Sequence, residues 1–173
     1  MRALVIFESM YGNTHAAADA IAEGLGGEVE VRPVHDAGGV PGDVDLLVVG
    51  GPTHMHGLST ALSRKMALSA AKEDAGKVEP GATEEPGLRE WLRALDGAGL
   101  RAAAFDTRGD ARAAVTGSAA RGIGRRLRHR GFDVIDSQSF LVADAEGPLE
   151  EGELDRAREW GAALATTTAP SAS

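Results

Sequence analysis

Polar side chains able to bind an anion follow the first apolar run of the chain. Residues 3–7 are apolar, and Thr14 begins a segment with helical periodicity. A helix N-terminus offers unpaired backbone N–H groups and a partial positive charge, both of which attract anions. The loop between these elements contains neutral donors and a flexible Gly but no Lys or Arg: Ser9, Met10, Tyr11, Gly12, Asn13 and Thr14. This pattern predicts a site for a phosphate monoester, although an ordinary capped helix start has the same residue types.

A second polar stretch follows another apolar run, at residues 45–50. It contains Pro52, Thr53, His54, Met55, His56 and Gly57. Apolar runs and helical patterns alternate along the chain with short links, which is typical of a doubly wound parallel α/β sheet. Right-handed crossovers bring the carboxyl ends of the first and third strands to one edge of the sheet. We therefore expect the two polar stretches to lie next to each other.

The elements that must hold these stretches in place are predicted from apolar periodicity and capping residues. The last helix is expected to bury Leu154 and Trp160 on one face, and Trp91 is expected in the core. Strands are predicted at 2–7, 29–34, 45–50 and 100–105, with a fifth at 132–135 that resumes at 139–142. Helices are predicted at 14–25, 60–73, 88–95 and 150–166, and a further one runs to Arg130 from a cap at Thr116 or Ser118.

Both polar stretches resemble loops of the flavodoxin family. Ser9, Tyr11, Gly12 and Thr14 match the order of the loop that closes around the FMN phosphate, and Tyr11 takes the place of a Thr, as in flavodoxin-like quinone reductases. Gly50–Thr53 resembles the loop that lies along the isoalloxazine ring. The resemblance implies a three-layer, five-stranded flavodoxin-like sheet of order 2-1-3-4-5. It covers a single domain, 1–168, with an extended loop at 72–86 and a frayed tail at 169–173.

Further site residues are implied by the same resemblance. The peptide between His56 and Gly57 matches one that turns over when the flavin is reduced. Asp106, Thr107 and Arg108 resemble the second loop beside the ring, but the Tyr that usually stacks on the ring there is absent. A cation such as Arg108 would stabilise the anionic reduced flavin, unless it is a surface Arg paired with Asp106 or Asp110.

A metal site at His54 and His56 is a less favoured interpretation. The spacing suits two ligands on an extended segment, but the chain has no Cys and no carboxylate lies next to them. Packing against a flavin or a plain loop role is preferred, so no metal is expected.

Composition excludes several classes of protein. The net charge of −8 argues against nonspecific nucleic-acid binding, and no apolar run is long enough to insert into a membrane. The absence of Cys rules out disulfides and Cys nucleophiles, and no signal-peptide pattern follows Met1. A cytoplasmic location is expected by default.

The function implied is that of an FMN-binding electron carrier between redox proteins, which are the expected partners. Residues 121–130 contain five Arg, which form either a solvated face or a docking patch for an acidic partner. An NAD(P)H-dependent quinone reductase on the same scaffold is one alternative. A cofactor-free module that acts in protein association is another.

Overall fold

The chain folds into alternating strands and helices. The computed structural model describes residues 1–53, 78–109, 117–144 and 147–168. The strands are β1 (Arg2–Phe7), β2 (Glu28–Pro33), β3 (Leu46–Pro52), β4 (Arg101–Gly109) and β5 (Asp133–Val142). The helices of the described residues are α1 (Asn13–Leu25), α2 (Leu88–Ala94), α3 (Ala119–His129) and α4 (Glu153–Thr168), and a 3-10 turn spans Val34–Asp36.

The five strands form one parallel sheet in the order β2-β1-β3-β4-β5, as predicted. Phe7 pairs with Gly50, and Gly50 pairs with Phe105, so the carboxyl ends of β1, β3 and β4 share one edge of the sheet. The loop after β1 and the end of β3 with Thr53 therefore lie side by side, as the sequence indicated for this part of the second stretch.

Two apolar clusters cover the faces of the sheet. One packs α2 and α3 on one face and includes Trp91, which is buried as predicted and donates its Nε1–H to the carbonyl of Gly38 at 2.9 Å. The other packs α1 and α4 on the opposite face around Phe105 and Phe140. Leu154 was expected inside the second cluster, but it is exposed because it lies on the solvent side of α4.

Close helix packing places α1 directly against α4. A Cβ added to Gly161 would lie 2.3 Å from the carbonyl oxygen of Ile21, and one added to Gly24 would lie 2.0 Å from the carbonyl oxygen of Arg158. Because Gly has no Cβ, each of these two residues leaves room for a backbone carbonyl of the facing helix.

Two predictions about the strands are wrong. Asp106, Thr107 and Arg108 were predicted to form a loop, yet they continue β4 because that strand pairs with β3 on one side and β5 on the other. The predicted interruption of β5 is also absent. Instead, Ile135 forms a bulge between Val134, which pairs with Ala102, and Asp136, which pairs with Ala103.

Part of the predicted extended loop is described. Residues 78–86 form turns and bends without helix or strand, whereas the predicted helix at 60–73, the loop residues 72–77 and the tail 169–173 lie outside the described residues. In the portion of the chain that the structure describes, no helix combines the length and the apolar character needed to cross a membrane.

Candidate functional site

A cavity of about 330 Å³ opens at the carboxyl edge of the sheet. This volume lies within the roughly 300–1,000 Å³ expected of small-molecule sites. Its described lining comes from the loop after β1 and from the ends of β3, β4 and β5: Ser9, Met10, Tyr11, Asn13, Thr14, Pro52, Thr53, Thr107, Arg108, Gly109, Val142 and Asp144. The structure thus brings together residues from the predicted stretches on one cavity wall.

The loop after β1 is shaped by its own backbone and by the segment 78–80. Gly12 has φ +88°, a left-handed conformation that favours Gly, and its N–H donates to Ser9 Oγ at 3.1 Å. The carbonyl of Met10 accepts from the N–H of Glu79 at 2.8 Å. The Glu79 carboxylate also hydrogen-bonds His15 Nδ1 in the first turn of α1. These contacts fix the position of the loop relative to the helix that it opens.

The N-terminus of α1 is left open towards ligands. Its N-cap is Gly12, which offers no side-chain acceptor, and its first turn contains no acidic residue. The N–H groups of Asn13, Thr14 and His15 precede the first intrahelical hydrogen bond, which the N–H of Ala16 donates to the carbonyl of Gly12 at 2.9 Å. They therefore present donors and a partial positive charge to the cavity side of the helix.

The other three helices that the structure describes start next to carboxylates. Leu88 in α2 donates its N–H to Glu8 Oε2 at 2.7 Å, and Ala120 in α3 donates to Asp106 Oδ2 at 2.9 Å. Helix α4 has Glu153 and Asp155 in its first turn. The first turn of α1 contains no acidic residue of its own, and the Glu79 carboxylate beside it bonds the side chain of His15 and not a backbone N–H. The N–H groups at this terminus therefore suit an anion.

Two buried hydroxyls meet beside this terminus. Thr14 Oγ1 and Thr107 Oγ1 lie 2.8 Å apart, and both residues line the cavity. Two hydroxyls that share one hydrogen bond have two protons, so one O–H remains for another acceptor. The pair can therefore donate to an anion seated between α1 and β4.

Two other predicted donors of the loop are partly engaged. Ser9 Oγ accepts from Gly12, which leaves the Ser9 O–H proton for a ligand. Asn13 donates from Nδ2 to the carbonyl of Gly147 at 2.6 Å, which leaves the second amide proton. Ser9 and Asn13 thus each keep one side-chain proton that is available to an acceptor such as a phosphate.

Asp106 lies behind the cavity instead of in its wall. Along β4, Phe105 and Thr107 face the side of the sheet covered by α1, so Asp106 between them faces α3. Its side chain is fully buried, and Oδ2 accepts from the hydroxyls of Thr53 at 2.9 Å and Ser118 at 2.8 Å. Thr53 lines the cavity and uses its hydroxyl for this contact.

Residues missed by the sequence analysis complete the described wall. Gly109, Val142 and Asp144 come from the ends of β4 and β5, which reach the same edge as the predicted loops. Their place in the wall could have been predicted from the parallel arrangement of the strands. Arg108 brings a cation and Asp144 an anion to the wall. His54, Met55, His56 and Gly57 lie outside the described residues.

Comparisons with solved structures identify the fold. A flavodoxin from the domain Archaea is 18% identical at a TM-score of 0.61, with 97% of this chain and 99% of that chain covered. Flavodoxin 1 from Bacillus cereus is 20% identical at a TM-score of 0.62, with 96% and 98% covered. The Streptococcus pneumonia TIGR4 flavodoxin is 18% identical at a TM-score of 0.63, with 96% and 99% covered.

Comparisons of sequence add no relative. No family model matches the chain, and no curated protein matches it. The likeness therefore concerns the course of the backbone, which is shared over nearly the full length of each structure compared. By its strand order, its layers and this agreement, the chain has the fold of the flavodoxins.

Proposed function

We propose that the protein binds FMN noncovalently and carries electrons between redox proteins. The observation that carries this proposal is the open N-terminus of α1 beside the hydroxyl pair Thr14–Thr107, at one end of a cavity of about 330 Å³. Neutral donors at that end suit the phosphate of FMN, and Pro52 and Thr53 form the wall where the resemblance expects the ring. The flavodoxin fold supports the proposal but does not by itself assign a cofactor.

The residues of the chain have distinct roles in this proposal. The N–H groups at the start of α1 and the hydroxyls of Ser9, Thr14 and Thr107 hold the phosphate. Arg108 supplies positive charge to the described wall. The bound flavin supplies the redox chemistry, since it accepts electrons from one protein and gives them to another. The protein contributes position, access and electrostatic environment.

A basic face on α3 is a candidate contact for a redox partner. No acidic residue lies between Ser118 and Arg130, and Arg121, Arg125 and Arg128 are exposed. Burial, and repulsion from Arg89, Arg125 and Arg93 on α2 and α3, lower the pKa of Arg126, which shows that cations of both helices are concentrated there. An acidic protein surface complements this face, whereas the negative charge of the whole chain repels an extended polyanion.

The basic face also begins close to the proposed flavin site. The N–H of Ala119, the first residue of α3, donates to Thr53 Oγ1 at 2.9 Å, and Thr53 lines the cavity. Arg121 follows within one turn of helix. A partner docked on the α3 face would therefore lie next to the wall that Thr53 forms, as electron transfer between two proteins requires.

A visible spectrum of the purified protein, followed by titration with FMN, tests the proposal. We expect a flavin spectrum in the purified protein, or saturable uptake of FMN by colourless protein. Bleaching of the bound flavin by NADH or NADPH without another protein would instead support the quinone reductase. A colourless protein that takes up no FMN would contradict the proposal and support the cofactor-free module.

A further inference from the structure

Asp106 lies where several segments of the chain meet, and the FMN-binding role proposed above does not account for its position. Its carboxylate joins the end of β3, the end of β4 and the start of α3 through one oxygen. Oδ2 accepts from Thr53 Oγ1 at 2.9 Å, Ser118 Oγ at 2.8 Å and the N–H of Ala120 at 2.9 Å. Thr53 after β3 and Thr107 in β4 line the cavity, and α3 is connected to it through the hydrogen bond from the Ala119 N–H to Thr53 Oγ1.

The same junction satisfies the first turn of α3. Ala119 donates its N–H to Thr53 Oγ1, Ala120 to Asp106 Oδ2, and Arg121 to Ser118 Oγ at 3.2 Å. Two of these three acceptors are hydroxyls that themselves donate to Asp106. Loss of the carboxylate would remove one of these acceptors and affect the orientation of the other two, because the hydroxyls of Thr53 and Ser118 would no longer have a common acceptor.

The carboxyl group of Asp106 lies in the protein interior. The side chain is fully buried, and Oδ1 receives no hydrogen bond from the residues that the structure describes. Within these residues no Lys or Arg forms an ion pair with it. Charges act more strongly on each other in a buried setting than in water, because less solvent screens them.

Given the FMN site proposed above, on which this inference rests, we propose that Asp106 is a positioning residue that fixes the ring-side wall and opposes reduction of the bound flavin. Reduction by an external donor adds negative charge to the flavin, and a buried carboxylate behind the wall repels that charge. Thr53 and Thr107, which flank Asp106 in the structure, transmit its position to the cavity wall. Asp106 thus favours a more negative potential, whereas Arg108 on the wall favours a more positive one.

Asp106→Asn tests the charge while it keeps an oxygen acceptor in place. The flavin potential is measured by titration with dithionite against reference dyes, and the FMN dissociation constant is measured for each variant. We expect a more positive potential, equivalent to a change on the order of tenfold in the ratio of the dissociation constants of oxidised and reduced flavin.

Asp45→Asn is the matched control, since it removes the same charge at the opposite edge of the sheet. Asp45 accepts from the N–H of Arg2 at 2.7 Å and lies roughly 25 Å from Thr53 along an extended strand. The reduction potential of the flavin bound to Asp45→Asn should equal that of the wild type. If Asp106→Asn gives the same potential as Asp45→Asn, the electrostatic role of Asp106 is overturned.

Ser118→Ala tests the positioning role separately, and it keeps the inference testable if Asp106→Asn cannot retain FMN. It removes one donor to Asp106 but preserves the charge. We expect FMN to bind severalfold more weakly, with a correspondingly larger dissociation constant. We also expect faster hydrogen exchange of the backbone amides of Ala119, Ala120 and Arg121. An unchanged dissociation constant and unchanged exchange would refute the positioning role. Because exchange is measured on protein without FMN, this arm remains informative even if the wild type binds no flavin.

Discussion

The hydroxyl oxygens of Thr14 and Thr107 lie 2.8 Å apart, although 93 positions separate the two residues in the chain. Thr14 belongs to the first turn of α1, and Thr107 lies near the end of β4. Their contact joins the proposed phosphate end of the cavity to the strand that continues towards the ring-side wall. Because both side chains are buried, each hydroxyl needs a partner, and the pair provides one while it keeps a proton for the ligand.

Thr14→Ala should weaken FMN binding. The substitution removes a hydroxyl donor next to a charged phosphate, which costs about 1–3 kcal/mol, or roughly 5- to 150-fold in the dissociation constant. Fluorescence titration of the flavin measures this change. Thr166→Ala is the control, since Thr166 donates to the carbonyl of Ala162 at 3.0 Å on the exposed side of α4. Equal dissociation constants for the two variants would contradict the assignment of Thr14.

Gly12→Ala should destabilise the folded chain without causing a steric clash. Gly12 has φ +88°, and no atom lies within 4 Å of the position that its Cβ would occupy. An Ala in this left-handed conformation costs roughly 1–2 kcal/mol. Urea unfolding of the apoprotein measures the free energy. Gly42→Ala serves as the control because its Cβ is also unobstructed and its φ lies outside the left-handed region. Similar stability of both variants would show that the loop does not require Gly at position 12.

Gly161→Ala should reduce stability through the α1–α4 contact. The new Cβ would lie 2.3 Å from the carbonyl oxygen of Ile21, so the helices must move apart. Overpacking of this kind typically costs 1–3 kcal/mol. We expect a lower unfolding free energy in urea together with an FMN dissociation constant close to that of the wild type, since Gly161 does not line the cavity. If the unfolding free energy of Gly161→Ala equals that of the wild type, the two helices can move apart without loss of stability.

Arg121→Glu should slow electron transfer from the reduced holoprotein to an anionic acceptor. Ferricyanide is a suitable probe, because the basic face of α3 attracts anions towards the Thr53 wall. We expect a severalfold slower rate at low salt and a smaller difference near 1 M salt, where screening is strong. Stopped-flow absorbance of the flavin follows the reaction.

Arg158→Glu is the matched control for this measurement. Arg158 lies on α4, on the opposite face of the sheet, where it pairs with Asp155 at 2.8 Å and with Glu23. The hydrogen bond that Arg158 donates to Glu23, and the negative charge of both carboxylates, raise the pKa of Arg158. If Arg158→Glu slows the reaction as much as Arg121→Glu does, net charge alone explains the effect and the α3 face has no special role.

The sequence was sufficient to predict the sheet and much of the site for identifiable reasons. Strands buried on both faces are continuous apolar runs, so β1 and β3 were evident. The parallel topology then placed the loop after β1 beside Pro52 and Thr53 at the end of β3. The cap of α3 was also predictable, since Ser118 is a favoured N-cap residue and accepts from Arg121 in the structure.

The role of Asp106 could not be predicted from the sequence for a physical reason. The polar residues 106–108 suggested a loop, but β4 has a strand on each side and its pairing extends to Gly109. Once these residues form a strand, alternation directs Thr107 and Asp106 to opposite faces. The pairing of Thr14 with Thr107 depends on the same long-range register, which local patterns do not contain.

The comparison of FMN with riboflavin tests the central claim most directly, because the two ligands differ only in the phosphate. Titration of the apoprotein with each ligand under identical conditions gives both dissociation constants. If the open N-terminus of α1 and the neighbouring hydroxyls hold the phosphate, FMN should bind on the order of 100-fold more tightly than riboflavin. Equal affinities for the two ligands would contradict the account.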